Sequence, residues 1–264
     1  MTFDPQGLST CARYSFAPNS LHYCGPEKQT DIRAYVISGQ NDQGLFEILN
    51  RFETLYKYLQ LIGTENNIRD PFDRRVVEAY WLGNDLLQKT KYQPLAKLLN
   101  DGLQLKKKLT LRQLQSSLSK LDQGVAHHTF HVLNIFRRTG HHAIPQTLET
   151  MDNCRISWGR ILNQKSSVSW RIKMQKDLAK PDPASQDNLK FKNYSVEIVP
   201  LIYQGYRLML GKPEIRDVLS NALEPKVGDW VSVHWGYVCE VLTLRQVRNL
   251  KYYTELAISL ANRS

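Results

Sequence analysis

The apolar residues of this 264-residue chain change their period near residue 145, and that change limits the folds open to it. Before it, Leu45, Phe46, Ile48, Leu49, Phe52, Leu55, Tyr56 and Leu59 recur at the spacing of one helix face. Asp70 and Pro71 look like the cap and first turn of a further helix whose buried face is Val76, Val77, Tyr80 and Trp81. Shorter helices are expected near residues 92–100 and 110–121, with Asp101-Gly102 ending the first, and a helix or buried segment from Val125 to Phe136. After Pro145 the runs 154–163, 166–174, 191–203 and 205–210 are short and alternating or β-branched, as strands are. A polar loop, 177–190, separates two of them, and the turn Val227-Gly228-Asp229 leads into a strand from Trp230 to Val241. An amphipathic helix from about Thr243 to Leu260 ends the chain. The expectation is an α+β protein, with an all-helical domain over 1–150 and a strand-rich domain over 151–264. Residues 1–26 are turn-rich, with Pro18-Asn19 and Cys24-Gly25-Pro26, and carry Tyr14, Phe16 and Tyr23. They read as an ordered extended segment held down by aromatics.

Composition narrows the class of function. Hydrophobic residues at 42% and charged residues at 23% are those of a folded globular protein. No run approaches the roughly 18 apolar residues of a membrane span, and the N-terminus lacks the pattern of a secretion signal. A cytoplasmic protein without membrane contact is expected. The net charge of +10 raises the question of a nucleic-acid partner, together with Trp230, Trp235 and Tyr237 on one strand. The charge is spread over both halves, however, and Lys106-Lys107-Lys108 reads as a solvated helix face, so nucleic acid is not the expected partner.

Metal chemistry has two candidate sources. Five of the seven histidines fall between His127 and His142. On a helix His127 and His131 share a face, a sound geometry for two metal ligands, while His128 points about 100° away. Imidazoles suit iron, nickel or zinc. The second source is the cysteines Cys11, Cys24, Cys154 and Cys239, which contain no C-x-x-C pair and so no zinc knuckle. Cys11, Cys24 and His22 are possible supporting residues if the N-terminal segment folds against the histidines. A zinc-protease H-E-x-x-H pattern and a G-x-S-x-G elbow are both absent.

Two stretches carry a family resemblance. Asn153-Cys154-Arg155-Ile156-Ser157-Trp158-Gly159-Arg160-Ile161-Leu162 resembles the opening of the HypC/HupF hydrogenase maturation chaperones, where a cysteine leads a strand into a Gly-basic-aliphatic turn. Val227 to Val238, with Val233-His234-Trp235-Gly236-Tyr237, resembles the same family's later Gly-Asp turn and Val-His-x-Gly-aromatic strand. The resemblance covers about 152–264, with an insertion at about 177–225 between the motifs. The whole chain also resembles an uncharacterised family associated with NiFe hydrogenases.

The resemblance implies a small OB-like antiparallel β-barrel with a C-terminal helix. It implies that Cys154 and His234 are the cargo-binding residues and that the cargo is an iron-cyanide-carbonyl unit. It implies a HypD-like maturation protein and the NiFe-hydrogenase large subunit precursor as partners. An assembly factor is then expected rather than an enzyme. The alternative is a metal-binding protein or metalloenzyme centred on the helical domain, with His127 and His131 as its core, His22 or a cysteine as a further ligand, His128 as an additional candidate, and iron or nickel as the metal. His234 would share a strand face with Trp230 and Ser232, opposite Val231, Val233 and Trp235.

Overall fold

The computed structural model describes residues 3–90, 92–108, 110–112, 115, 119, 121–135, 146–169 and 190–263. His141, His142, residues 177–189 of the expected loop and half of the helix expected at 110–121 lie outside the described residues.

The N-terminal segment is helical, not extended. Asp4 caps α1 (Pro5–Ser20), its side chain accepting from the backbone N–H groups of Gln6 and Gly7, with proline at the first helical position. Almost every α1 side chain from Leu8 to Asn19 is buried, because α2 (Gln29–Ser38), α3 (Gln43–Leu49), α5 (Arg74–Trp81) and the barrel surround it. A helix buried on all sides carries no amphipathic stripe, so its sequence lacks the usual periodic signal.

The expected single face over Leu45–Leu59 is split. α3 ends at Leu49, and α4 (Glu53–Glu65) starts again after Phe52. Asp73, not Asp70, caps α5. Asp70 instead accepts from the backbone N–H of Asp4 at 2.7 Å, while Asp4 accepts from that of Arg74 at 2.9 Å. This reciprocal staple joins the starts of α1 and α5. Gly7 makes their approach possible, since a Cβ there would stand 1.6 Å from the Phe72 carbonyl oxygen. Gly7→Ala should therefore destabilise the protein by about 1–3 kcal/mol, as overpacking does. A urea midpoint equal to that of the native chain would contradict this.

Beyond the 3-10 turn Asp85–Lys89 come α6 (Gln93–Lys97), the π-turn Leu98–Gly102 and α7 (Leu105–Lys108). Then follow α8 (His128–Asn134) and α9 (Leu148–Cys154). The barrel starts later than expected: Cys154 is the last residue of α9, and β1 runs as one strand over Ser157–Ser169. The 191–203 run divides into β2 (Lys190–Ile198) and β3 (Leu201–Gln204) around Pro200, and β4 (Arg207–Leu210) pairs with β3 as a hairpin. β5 (Glu214–Ser220) was not anticipated. The expected Trp230–Val241 strand is a hairpin, β6 (Trp230–His234) and β7 (Tyr237–Leu242), turning at Trp235-Gly236 with both residues at positive φ.

These strands close a barrel in the order β1-β2-β5-β7-β6, antiparallel except for the short β5–β7 contact. α10 (Leu244–Ala261) follows, started by a Thr243/Gln246 capping box. The expected α+β class, with helices first, a small closed barrel and a terminal helix, is the observed one.

The barrel holds a small core of its own: Ile161, Tyr194, Val196, Ile198, Val218, Val231, Val233 and Val238. The larger core crosses the expected boundary near residue 150. It runs from Leu8 in α1, through Trp81 and Phe130, to Trp158, Tyr237 and Leu260. α10 packs on α8 more than on the barrel it follows. No helix among the described residues is long and apolar enough to cross a membrane.

Candidate functional site

The functional cluster forms where three elements meet. α9 opens with a Thr147/Thr150 capping box and ends at Cys154, and the extended backbone of Arg155 leads into β1. Its last turn is anchored by Asp152, which is 6% exposed. That carboxylate accepts from Arg155 Nη2 at 2.8 Å, from Arg216 Nη2 at 2.6 Å and from the backbone N–H of Leu201 at 2.8 Å. Arg155 is fully buried and also donates to the Val199 carbonyl. The α9 terminus is thus tied to β5 and to the start of β3. From the other side, the Trp235 backbone N–H donates to the Asn153 carbonyl at 2.8 Å and holds the β6–β7 turn against α9. Cys154 and His234 are brought together by these two ties, although 80 residues separate them in sequence.

His234 and Ser232 share the strand face that looks away from the barrel core, while Val231 and Val233 look into it. On that outer face Ser232 Oγ and Tyr14 Oη lie 2.8 Å apart. His234 Nδ1 sits 2.7 Å from the Tyr14 carbonyl oxygen of α1. A carbonyl can only accept, so Nδ1 carries a proton, and in the neutral ring Nε2 then carries the lone pair. This is the arrangement by which proteins orient a metal-binding histidine.

The third member comes from α8. Cys154 Sγ, His128 and His234 offer ligand atoms that all lie within 4.8 Å of one another, and all three residues are buried. His128 Nε2 stands 2.8 Å from the Cys154 carbonyl oxygen and 4.0 Å from its sulfur. The same rule makes His128 the Nε2–H tautomer, with Nδ1 accepting from Tyr80 Oη at 3.1 Å. Burial raises the Tyr80 phenol well above its ordinary pKa, which keeps its proton on. Burial, and then the neighbouring His234, push His128 far below the ordinary histidine range, so it is neutral. Trp81 lies against both rings, at 4.6 Å from His128 and 5.6 Å from His234 between centroids.

A cavity of about 80 Å³ opens beside the cluster. Cys24, Thr54 and His131 contribute polar groups to it, and Leu55, Val132 and Ile135 apolar ones. The volume is several times the roughly 15 Å³ a single water needs on this measure, so ligands besides the protein's own have room.

The expected His127–His131 pair does not form. His127 is the N-cap of α8, not part of its face: Nδ1 accepts from the Thr129 backbone N–H and the ring stacks on Tyr253 at 5.3 Å. His131 lines the cavity with Nδ1 3.0 Å from Tyr58 Oη. His128, set apart from the pair by the helical-wheel argument, is the one beside Cys154. Cys24 is half-buried on the cavity wall, held by Asn19 Nδ2, which donates to the Cys24 and Pro26 carbonyls at 2.8 Å. Cys11 is packed in the core, its thiol pushed up to about 12 by burial. His22 is exposed, with Nδ1 3.0 Å from Gln29 Nε2. Tyr80 and Trp81 gave no signal beyond apolar periodicity, and Tyr14 none beyond an anchoring aromatic, yet they orient or enclose both imidazoles.

Burial pushes His127 down to about 3. The unfolded chain, with histidine near 6.5, therefore takes up a proton before the folded chain does. Stability from this group is complete above about pH 6.5 and falls as the pH drops toward 3. The loss amounts to about 2 kcal/mol by pH 5. His127→Asn keeps a capping oxygen and removes the titration. Its stability should fall less steeply between pH 6.5 and 4.5, by up to about 1.4 kcal/mol per pH unit. Parallel pH slopes in denaturant titrations would refute the assignment.

No curated protein and no solved structure matches the chain. Over residues 3–179 and 183–264 it matches a family of unknown function, DUF6390, and it belongs to that family.

Proposed function

We propose that the protein is an accessory factor of NiFe-hydrogenase assembly that holds a metal unit between Cys154 Sγ and His234 Nε2, with His128 as a hydrogen-bonding neighbour. The single observation that carries this reading is the convergence of Cys154 and His234, together with His128, within 4.8 Å at the edge of a cavity. The two residues that a HypC/HupF resemblance singles out are thus neighbours in the fold. The partners on this reading are the large subunit precursor and a HypD-like maturation protein. The cargo is iron carrying cyanide and carbonyl ligands.

The chemistry favours a metal over a nucleophilic thiol. Activated cysteines sit at helix N-termini, where the dipole stabilises a thiolate. Cys154 ends α9, where the local field disfavours a bare thiolate and favours a cation. A thiolate and an imidazole are a donor set that suits iron, nickel and zinc alike. The room beside them supports a unit that arrives with ligands of its own.

The protein, purified without oxygen from cells that express a NiFe hydrogenase, should contain near-stoichiometric iron. A tagged copy should retain the large subunit precursor. Deleting the gene should lower hydrogenase activity. Metal-free protein with no partner, and normal activity after deletion, would end the proposal. The second reading, a resident metal centre built on the helical segment, draws on His128 and His131 in the cavity. It predicts stoichiometric metal with hydrogenase activity unaffected.

A further inference from the structure

Pro18 lies in the last turn of α1, a place where proline has a cost and a consequence. Each helical carbonyl normally accepts from the N–H four residues on. For Tyr14 that residue is Pro18, which has no N–H, and its ring sterically bars the carbonyl from closing onto the helix. The Tyr14 carbonyl is also buried, and a buried carbonyl needs a donor. The donor is His234 Nδ1–H, at 2.7 Å across the α1–barrel interface.

We propose that Pro18 is a positioning residue for His234: by withholding the helical donor from the Tyr14 carbonyl, it reserves that carbonyl for His234 Nδ1–H and so points the Nε2 lone pair at Cys154. The helix around it is otherwise built to keep this geometry. Tyr14 stacks on Trp81 at 4.9 Å with an interplanar angle of 10°, and its hydroxyl is engaged by Ser232 on the same strand as His234. The Pro18 carbonyl in turn accepts from the backbone N–H groups of Tyr23, at 2.8 Å, and Cys24, at 3.3 Å. One residue therefore shapes both the His234 orientation and the loop that lays Cys24 along the cavity. The metal arm of the test rests on the proposed metal-holding function; the tautomer arm does not.

The test compares the native chain, Pro18→Ala and a chain with the α-hydroxy acid of alanine at position 18. The hydroxy acid removes the proline ring but still supplies no N–H. Imidazole 15N shifts of His234 report its tautomer without any metal. The native chain and the hydroxy-acid variant should show a proton on Nδ1. Pro18→Ala returns a donor to the helix and should move a measurable share of His234 to the Nε2–H form. Cobalt(II) affinity should fall about tenfold or more in Pro18→Ala, in keeping with lost orientation of a ligating histidine, and recover in the hydroxy-acid variant. An unchanged tautomer in a folded Pro18→Ala protein, or a native His234 protonated on Nε2, overturns the inference. If Pro18→Ala does not fold, the hydroxy-acid variant decides: loss of its Nδ1–H form overturns the inference. Native protein that binds no cobalt but shows the expected tautomer shifts overturns the metal reading and leaves the role of Pro18 standing.

Discussion

Cys154→Ser should weaken cobalt(II) binding at least about 100-fold and remove the thiolate-to-cobalt charge-transfer band. Serine is almost the size of cysteine, so a residue 3% exposed is replaced with little repacking. Its hydroxyl, unlike a thiol, does not ionise near neutral pH, and the soft donor is lost. His234→Ala should have an effect of the same order, because, with Nδ1–H donated to the Tyr14 carbonyl, Nε2 is the proposed second metal ligand. His128→Gln separates a ligand from a hydrogen-bond donor. Glutamine keeps an N–H for the Cys154 carbonyl, and binding should stay within a few-fold of native. A loss as deep as that of His234→Ala would make His128 a third metal ligand. Retention of the charge-transfer band in Cys154→Ser would place the metal elsewhere.

Asp152→Ala should cost about 3–5 kcal/mol, the usual result of removing one partner of a buried ion pair. Arg155 is fully buried and Arg216 partly so, and Asp152 is the carboxylate both side chains contact. Its removal leaves a guanidinium in the interior and also strips the Leu201 backbone N–H of its acceptor. Asp152→Asn should fall between the two, keeping an acceptor but not the charge. Because α9 is held to the barrel by this group, cobalt affinity should drop with stability. A Tm within a degree or two of native would show that the network carries little of the fold's free energy.

The local rules in the sequence recover the helices with one exposed face. Leu45–Leu49 of α3, Leu55–Leu59 of α4 and Val76–Trp81 of α5 announce themselves because each helix keeps polar, water-facing residues beside its buried ones. α1 does not, since it is buried almost all round and contains Pro18; its one local sign, Asp4 followed by Pro5, goes unused when the segment is read as extended. Asp70 misled because two aspartates three residues apart each fit a cap, and only tertiary pairing with Asp4 decides between them. The Trp230–Val241 run gave no sign of its turn beyond Gly236, because Trp235 at positive φ is a conformation few side chains adopt. For the site, the family resemblance singles out Cys154 and His234, and no local rule of spacing or periodicity does. His128 is among the candidates, but the helical wheel ranks it behind His127 and His131, a pairing that fails because His127 is the cap. The orienting partners, Tyr14 and Tyr80, are legible only once α1 and α5 are packed.

The cluster draws on α1, α5, α8, α9 and β6, and the larger core that surrounds them runs from Leu8 to Leu260. On the proposed function, a metal unit bound there would be in thermodynamic contact with nearly the whole chain. A ligand that binds only the folded state raises its stability by about 2.7 kcal/mol at a hundred times its dissociation constant. Loading should thus appear as a rise in melting temperature and in protease resistance at places as distant as α1 and α10. Delivery has the opposite sign: handing the unit on returns the chain to a less stable state. The difference between the loaded and unloaded fold sets how firmly a recipient must bind the unit to take it.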